Sequence, residues 1–216
     1  MISREHVLHK VRAALGRTAG QPPAAAPPAR LSVPVWDPAE RWRRFSQALE
    51  KLGGKALRAG SADEARGYVE ELLKGRPAVA SNAPFLAQCG ITDLPGVRSG
   101  FSEAAALREA CAAAEAGITS ADYGLADTGT LVVFSSEQEA RLISLLPPIH
   151  IALLPAQRLL TGLDELLTLV PQPAQRSSAM VLITGPSRTA DIEQILVRGV
   201  HGPGEIHVIV VEGKES

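Results

Sequence analysis

Apolar and polar residues alternate along the first half of the chain with the periods typical of helices and short strands. Helical spacing, with a capping residue before it or a glycine after it, predicts helices over 37–52, 61–74 and 102–116. The short apolar runs between these helices, at 55–58 and 77–81, predict strands. Strands that alternate with helices are typical of the α/β class, so we expect a mostly parallel sheet flanked by helices.

The second half of the chain contains shorter elements and more turns. Helical spacing predicts helices over 159–169 and 190–198. Residues 180–211 should then form one compact strand–helix–strand unit with a right-handed crossover. Apolar runs predict strands at 131–134, 149–154, 180–184 and 206–211.

The N-terminal part differs from the rest of the chain in composition and charge. Residues 3–15 have the pattern of a short amphipathic helix, and the Pro/Ala-rich stretch 17–30 predicts an extended linker. We therefore divide the chain into an N-terminal helix with its linker, 1–30, and a single α/β domain, 31–216. The first part has a net charge of +4 and the second −5. The helix therefore either packs back on the α/β domain or on a second copy of the chain, or it docks onto an acidic partner.

Composition narrows the function classes. A formal net charge of −1 argues against a dedicated nucleic-acid-binding protein. Two cysteines, Cys89 and Cys111, are too few for a self-contained four-cysteine zinc or iron–sulfur site or for a disulfide framework. No stretch reaches the ~18 apolar residues of a membrane span, and no signal sequence is recognisable, so we expect a cytoplasmic protein. Redox chemistry would then need a cofactor or a partner from outside the chain.

The turn Gly185-Pro-Ser-Arg-Thr189 gives the strongest local signal for a ligand site. Ligands in open α/β sheets bind beyond the carboxyl ends of strands, where helix N-termini present unpaired N–H groups. Gly185 permits close backbone approach, Pro186 stiffens the turn, and Ser187 or Thr189 can cap the predicted helix. Arg188 carries a planar fork suited to a carboxylate or a phosphate.

A structural role for this turn is the alternative. Thr189 is then simply a cap, and Arg188 pairs with Asp191 or Glu193. These two acids in the first helical turn would satisfy the helix dipole themselves. They make a small carboxylate a better ligand here than a highly charged phosphate.

The segment Asp127-Thr-Gly-Thr130 is a second candidate. An aspartic protease needs this sequence in two copies, because two carboxylates must share one proton, and the chain has one copy. We therefore interpret it as a strand-entry turn with hydroxyl side chains and a carboxylate, lining the same crevice as the Gly185–Thr189 turn. The alternative is a plain turn in which Asp127 bonds its own backbone.

Hydrolase and metal chemistry are weakly indicated. Ser187 on a strand-to-helix turn is similar to a nucleophile elbow, but that motif is Gly-x-Ser-x-Gly and this turn ends in Thr189. His201 and Asp127 could complete a triad, although no spacing specifies them. His150 lies in an apolar strand and is best interpreted as a hydrogen-bonded core histidine. Neither histidine has a second ligand at helical or hairpin spacing, so we predict no metal site.

Three stretches together resemble the lactate-utilization protein C family (LutC/YkgG) of the LUD domain class. They are ADYGLADTGTLVV at 121–133, RLISLLPPIHIALLP at 141–155 and ITGPSRTADIEQILVRGVHGP at 183–203. The resemblance extends over about 118–211, and GPSRTADIE followed by GVHGP is its most specific part. Asp127 stands where members of the family often carry Glu.

The resemblance implies a fold and a function. The fold is that of the sugar-phosphate isomerases and CoA-transferases, and members act with two iron–sulfur proteins in oxidising L-lactate to pyruvate. This chain is then a subunit without clusters or other cofactors, which binds a small carboxylate. The alternative is an independent ligase, isomerase or acyl transferase that acts on a phosphorylated or CoA-linked substrate.

The same resemblance transfers a set of motif positions to this chain. Asp127, Ser187 and Arg188 are the candidates for a catalytic role. His201 is included with less weight. The positions expected to bind substrate are Thr128, Gly129, Thr130, Gly185, Pro186, Ser187, Arg188, Thr189 and Asp191.

Overall fold

The computed structural model describes residues 3–22, 34–190 and 196–213, and the chain divides into two compact units, Met1–Ser32 and Val33–Ser216. In the first unit, helix α1 spans Arg4–Ala14, and the side chain of Ser3 caps it by accepting from the backbone N–H of His6. This confirms the helix predicted over 3–15. Assignment of 1–30 as a separate functional region stays a prediction. Among the described residues, no helix combines the length and apolar character needed to cross a membrane.

A six-stranded parallel sheet forms the centre of the second unit and confirms the predicted fold class. The strands, numbered along the chain, are β1 Lys55–Ala59, β2 Ala78–Ala80, β3 Val97–Arg98, β4 Ala116–Ser120, β7 Ile149–Pro155 and β12 Glu205–Val211. Their order across the sheet is β1-β12-β7-β4-β2-β3. The seven residues of β7 pair in register with the seven of β12, which makes these two strands the middle of the domain.

Apolar layers cover both faces of this sheet. Successive residues of β7 point to opposite faces, so that Ile151 and Leu153 join one core cluster while Ala152 and Leu154 join another. This explains why β7 has a continuous apolar sequence instead of an alternating one. The helices of the second unit are α2 Pro38–Lys51, α3 Ala62–Leu73, α4 Pro84–Gln88, α5 Ala104–Ala113, α6 Leu163–Leu169 and α7 Pro173–Arg176.

A smaller, mixed sheet packs on the α2 side of the domain. Its strands are β5 Tyr123–Leu125, β6 Thr130–Phe134, β8 Leu159–Leu160 and β9 Met180–Ile183, in the order β8-β5-β6-β9. Leu131 and Val133 of β6 share one core cluster with Phe45 and Leu49 of α2. Helix α2 is therefore held between β-structure on two sides.

The prediction of a strand–helix–strand unit over 180–211 is wrong. Strand β9 pairs antiparallel with β6 in the smaller sheet, not with the central sheet. The segment 190–198, which was predicted to be a helix, starts in strand β10 and ends in strand β11. Strand β10 spans Arg188–Ala190 and pairs antiparallel with β11, which spans Leu196–Arg198. Residues 191–195 lie outside the described part. Short apolar runs such as Ile-Leu-Val fit a helix and a strand equally well by periodicity alone.

Two further boundaries differ from the prediction. The helix predicted over 102–116 ends earlier, and β4 begins at Ala116 as a central strand. A Cβ on Gly117 would lie 1.9 Å from the carbonyl oxygen of Ile143, so glycine is needed there for close packing instead of for a helix stop. The predicted helix over 159–169 begins with β8 and becomes helical only at Leu163.

Candidate functional site

The Asp127–Thr130 turn connects β5 to β6 and rests directly on α2. Gly129 has φ +66°, and a Cβ there would lie 2.5 Å from the backbone nitrogen of Leu49. Only glycine satisfies both the left-handed backbone and this close approach. The helix therefore fixes the position of the neighbouring hydroxyl groups.

A chain of hydroxyl groups joins this turn to the second predicted motif. The Thr128 hydroxyl donates to Asp127 Oδ1 at 3.2 Å, and the Oγ1 atoms of Thr128 and Thr130 lie 2.8 Å apart. Thr130 in turn bonds the Oγ1 of Thr184 at 2.8 Å. Because Thr184 immediately precedes Gly185, the two bends meet through these side chains.

The second bend also contacts the C-terminal end of α2. Nη2 of Arg188 donates to the carbonyl oxygen of Leu52, which follows the last turn of that helix. Gly185 has φ +83°, and a Cβ there would lie 2.9 Å from the Cβ of Leu52. A helix C-terminus presents carbonyl oxygens and carries a partial negative charge. A cationic arginine side chain interacts favourably with that charge, whereas an anion is repelled by it.

Among the described residues, no helix begins at the Gly185–Thr189 turn. Arg188 begins strand β10, which runs to Ala190. The amide N–H of Ser187 instead donates to the carbonyl oxygen of Pro203 at 2.8 Å. The side chain of Thr189 and the whole of Asp191 lie outside the described residues. Their proposed contact with substrate stays a prediction.

Ser187 faces a groove that brings two of the motif stretches, 141–155 and 183–203, together. The groove has a volume of about 260 Å³ and includes residues from 144–150, 181–187 and 201–206, among them His150 and His201. His150 is buried, and its Nε2 lies 2.8 Å from the Thr119 hydroxyl. Burial lowers the pKa of His150 to about 4, so this imidazole is neutral at physiological pH, as expected for a core histidine.

The two motifs thus touch but do not share one pocket. Asp127 and Thr128 line a shallow cleft with Lys51 at the end of α2, whereas Ser187 lines the groove with the histidines. Thr184 contributes to both surfaces. The expected common crevice is therefore two adjoining surfaces joined by the threonine chain.

A different cleft lies where the central strands end, and sequence reasoning missed it. Strands β2, β4 and β7 are parallel neighbours, so their carboxyl ends meet at one edge of the sheet, where ligands of open α/β sheets usually bind. A cleft of about 470 Å³ opens at this edge, and we call it the Glu139 cleft. Its polar lining includes Ser120, Asp122, Ser135, Glu139, Arg158 and Arg176.

Glu139 is held below this cleft in an unusual environment. Its residue surface is 6% exposed, and its Oε2 accepts from the Ser81 hydroxyl at 2.8 Å and from the Ser120 amide at 3.0 Å. Its Oε1 is buried and has no hydrogen-bond partner among the described residues. Burial raises the pKa of Glu139 to about 8 despite these two bonds, so the carboxyl is mainly protonated at neutral pH.

Ser135 and Asp122 complete the inner part of the cleft. The Ser135 hydroxyl oxygen is buried and, like Oε1 of Glu139, has no partner within the described part of the chain. Asp122 Oδ2 accepts from the Phe134 amide at 2.8 Å, and its Oδ1 accepts from Arg176 Nη2 at 2.6 Å. Burial raises the pKa of Asp122, while Arg176 and Arg158 oppose that change.

Two arginines border the cleft beside aromatic rings. The Arg176 guanidinium lies 4.2 Å from the centre of the Phe134 ring, which orients it next to Asp122. The Arg158 guanidinium lies 5.8 Å from the centre of the Tyr123 ring. The guanidinium groups at the border of the cleft present N–H donors in a planar fork, which suits a carboxylate.

A signal for this cleft exists in the sequence but depends on recognising β4. Ser81 and Ser135 each follow a strand directly and Ser120 is the last residue of β4, and serines at strand ends indicate a polar edge. Because the helix predicted over 102–116 was expected to end at Gly117, no strand was predicted at 116–120 and this edge was missed. Glu139 stands in the polar loop 135–139, where an acidic residue normally indicates a solvated surface.

The two cysteines belong to the core. Cys89 and Cys111 are buried in different apolar clusters. Burial raises the pKa of both thiols, for Cys89 to about 11, so neither is a reactive thiolate at neutral pH.

Comparison with known proteins identifies the family. A family model for the LUD domain matches residues 42–211. Lactate utilization protein C of Halalkalibacterium halodurans is 34% identical over 168 residues, 74% of this chain and 73% of the relative. The protein of the same name from Geobacillus thermodenitrificans is 28% identical over 84% of this chain and 87% of its own.

Further relatives include an uncharacterized protein, YkgG, of Escherichia coli, which is 38% identical over 46% of this chain and 45% of its own. The crystal structure of a DUF162 family protein from Deinococcus radiodurans superposes with a TM-score of 0.62 at 20% identity, covering 82% of this chain and 99% of that one. This similarity supports the fold. With most of its length matched by the family model, the chain belongs to the LUD domain family.

Proposed function

We propose that this protein takes part in lactate utilization, as a subunit of a system that oxidises L-lactate to pyruvate. The observation that carries the proposal is its similarity, over 74% and 84% of the chain, to two relatives named lactate utilization protein C. A cleft bordered by Arg158 and Arg176 at the carboxyl edge of the central sheet supports it, because guanidinium groups bind small carboxylates.

Electron transfer in this proposal belongs to partners. Oxidation of lactate releases two electrons, and two iron–sulfur proteins would accept them. The chain itself would carry no cofactor, which agrees with two buried cysteines in separate core clusters. The system would be cytoplasmic.

The motif surface around the two bends has a place in this proposal. Arg188 stays the candidate ligand for the substrate carboxylate at the second bend, with its side chain anchored to Leu52. Asp127 stays a candidate proton acceptor, and Thr128 bonds its carboxylate. These residues lie on a different surface from the Glu139 cleft, so Arg188 and the cleft are alternative sites for the substrate carboxylate, and mutation distinguishes between them.

A genetic test addresses the proposal directly. The chromosomal copy is deleted in the organism that encodes the chain, and growth is measured on L-lactate and on glucose as sole carbon sources. We expect growth on lactate to be lost, growth on glucose to be unchanged, and a plasmid copy to restore the first. Undiminished growth on lactate would contradict the proposed function.

A further inference from the structure

We propose that the Glu139 cleft binds a small 2-hydroxy carboxylate, with its hydroxyl on Ser135 and Glu139 and its carboxylate on Arg158. The choice of L-lactate as the ligand rests on the proposed function, whereas the site rests on the geometry of the cleft. None of these three residues was among the motif positions that the sequence indicated.

Two buried polar atoms without partners carry the inference. Oε1 of Glu139 and the Ser135 hydroxyl oxygen are both buried without a hydrogen bond from the described residues, and both residues line the same cleft. Leaving such atoms unpaired is unfavourable, so a fold retains them where a ligand or ordered water satisfies them. Two of them in one cleft at the strand edge indicate a built binding site.

The chemistry of these atoms fits a hydroxyl group. Glu139 Oε2 already accepts two hydrogen bonds, so a protonated Glu139 carries its hydrogen on Oε1 and donates from there. The Ser135 hydroxyl both donates and accepts. A ligand hydroxyl likewise donates one hydrogen bond and accepts others, so it can satisfy both residues at once.

The two arginines and Asp122 select the class of anion. Arg176 is bonded to the Asp122 carboxylate, and the Arg158 guanidinium borders the cleft with N–H donors whose geometry suits a carboxylate. The nearby Asp122 carboxylate opposes a dianion such as a phosphate ester more strongly than a monoanion. Phe85, Phe134 and Pro155 provide apolar wall for a methyl group.

Ligand-observed NMR titration of the full-length protein tests the site. The probes are L-lactate and propionate, which differ by the hydroxyl, with inorganic phosphate as a dianion. We expect lactate to bind more tightly than propionate and phosphate. Ser135→Ala should weaken lactate binding about tenfold and leave propionate unchanged, because one hydrogen bond is lost only with the hydroxy acid.

Further variants separate the roles of the other two residues. Glu139→Gln keeps an acceptor at Oε2 and a donor at Oε1, so lactate affinity should stay within about threefold, whereas Glu139→Leu should lose at least tenfold. Arg158→Gln should weaken both monoanions. Glu137→Gln removes an exposed carboxylate and Arg108→Gln an exposed guanidinium, both outside the cleft. Neither substitution should change the affinity for lactate or for propionate.

The binding measurements and the growth measurements distinguish failure of the proposed site from failure of the proposed function. The site is overturned if lactate does not bind, or if it binds equally to the wild type, Ser135→Ala and Arg158→Gln. This holds even if deletion abolishes growth on lactate. Ser135→Ala keeps this conclusion independent of whether Glu139→Leu folds. Binding that follows the expected order supports the site even if deletion leaves growth intact, in which case the proposed function alone fails.

Discussion

Glu139 makes the stability of this protein depend on pH in a direction opposite to that of an ordinary carboxyl. Burial raises its pKa in the folded chain from 4.5 to about 8, with a smaller contribution from the nearby Asp122 carboxylate. In the unfolded chain the same group ionises near its ordinary value. The folded state therefore holds the proton more tightly, and the contribution of Glu139 to stability is largest at low pH and is lost as pH rises through about 8.

The size of the effect follows from this difference. A shift of one pKa unit corresponds to about 1.4 kcal/mol, so the two pKa values imply a loss of roughly 4 kcal/mol in the free energy of unfolding between pH 5 and pH 9. Glu139→Gln removes the ionisation while keeping an acceptor for the Ser81 hydroxyl and the Ser120 amide. The variant should therefore lose less stability than the wild type over the same pH interval.

Urea unfolding at pH 5, 7 and 9 measures this difference directly. The other titrating groups are common to both proteins, so their contributions cancel when the pH dependence of wild type and variant is subtracted. Glu137→Gln is the matched control, since it removes an exposed carboxyl from the same loop. Its pH dependence should equal that of the wild type.

The reasoning predicts crossing stability curves, with Glu139→Gln gaining on the wild type as pH rises. If wild type and Glu139→Gln lose the same free energy between pH 5 and pH 9, Glu139 titrates near its ordinary value. The carboxyl would then be ionised at neutral pH, and the hydrogen on Oε1 that the cleft proposal uses would be absent.

Three other predictions concern the motif surface and the N-terminal part. Gly129→Ala should destabilise the fold by about 2 kcal/mol or more, because a Cβ has no room beside α2. The control Gly75→Ala, with φ +78° and no atom within 4 Å of the added Cβ, should cost about 1 kcal/mol. Equal losses in the free energy of unfolding, measured with urea, would contradict the packing argument. Arg188→Ala should abolish growth on lactate while the protein stays folded, with Tm lowered by no more than the loss of the exposed hydrogen bond to the Leu52 carbonyl; a folded variant that supports full growth removes Arg188 from the mechanism. Deletion of residues 1–30 should leave the α/β domain folded and abolish co-purification with the iron–sulfur partners; retained co-purification shows that this part is not the docking segment.

Local signals in the sequence predicted the elements that are stabilised locally. Asp37 and Ser61 accept from the backbone N–H three residues later, and both helices begin where these caps predict. The apolar run 149–154 predicted a strand, and β7 lies inside the central sheet, where both of its faces are buried. In each case the residues that determine the structure are neighbours in sequence.

The errors arose where distant contacts decide the structure. Gly117 was interpreted as a helix stop, but it lies in a strand because the carbonyl of Ile143 packs against it. Strand β9 is apolar enough for the central sheet, yet it pairs with β6, and periodicity does not specify a partner. The Glu139 cleft was missed for the same reason, since Ser120 and Ser135 become neighbours only after the strands have been ordered.

Reconstitution tests the central claim of this account most directly. The chain is purified alone and together with the two iron–sulfur proteins of the system, and L-lactate-dependent reduction of a redox dye is measured with and without the chain. We predict negligible activity of the chain alone, full activity of the three proteins together, and loss of activity when the chain is omitted. Equal rates of dye reduction in the presence and absence of the chain would contradict its role in lactate oxidation.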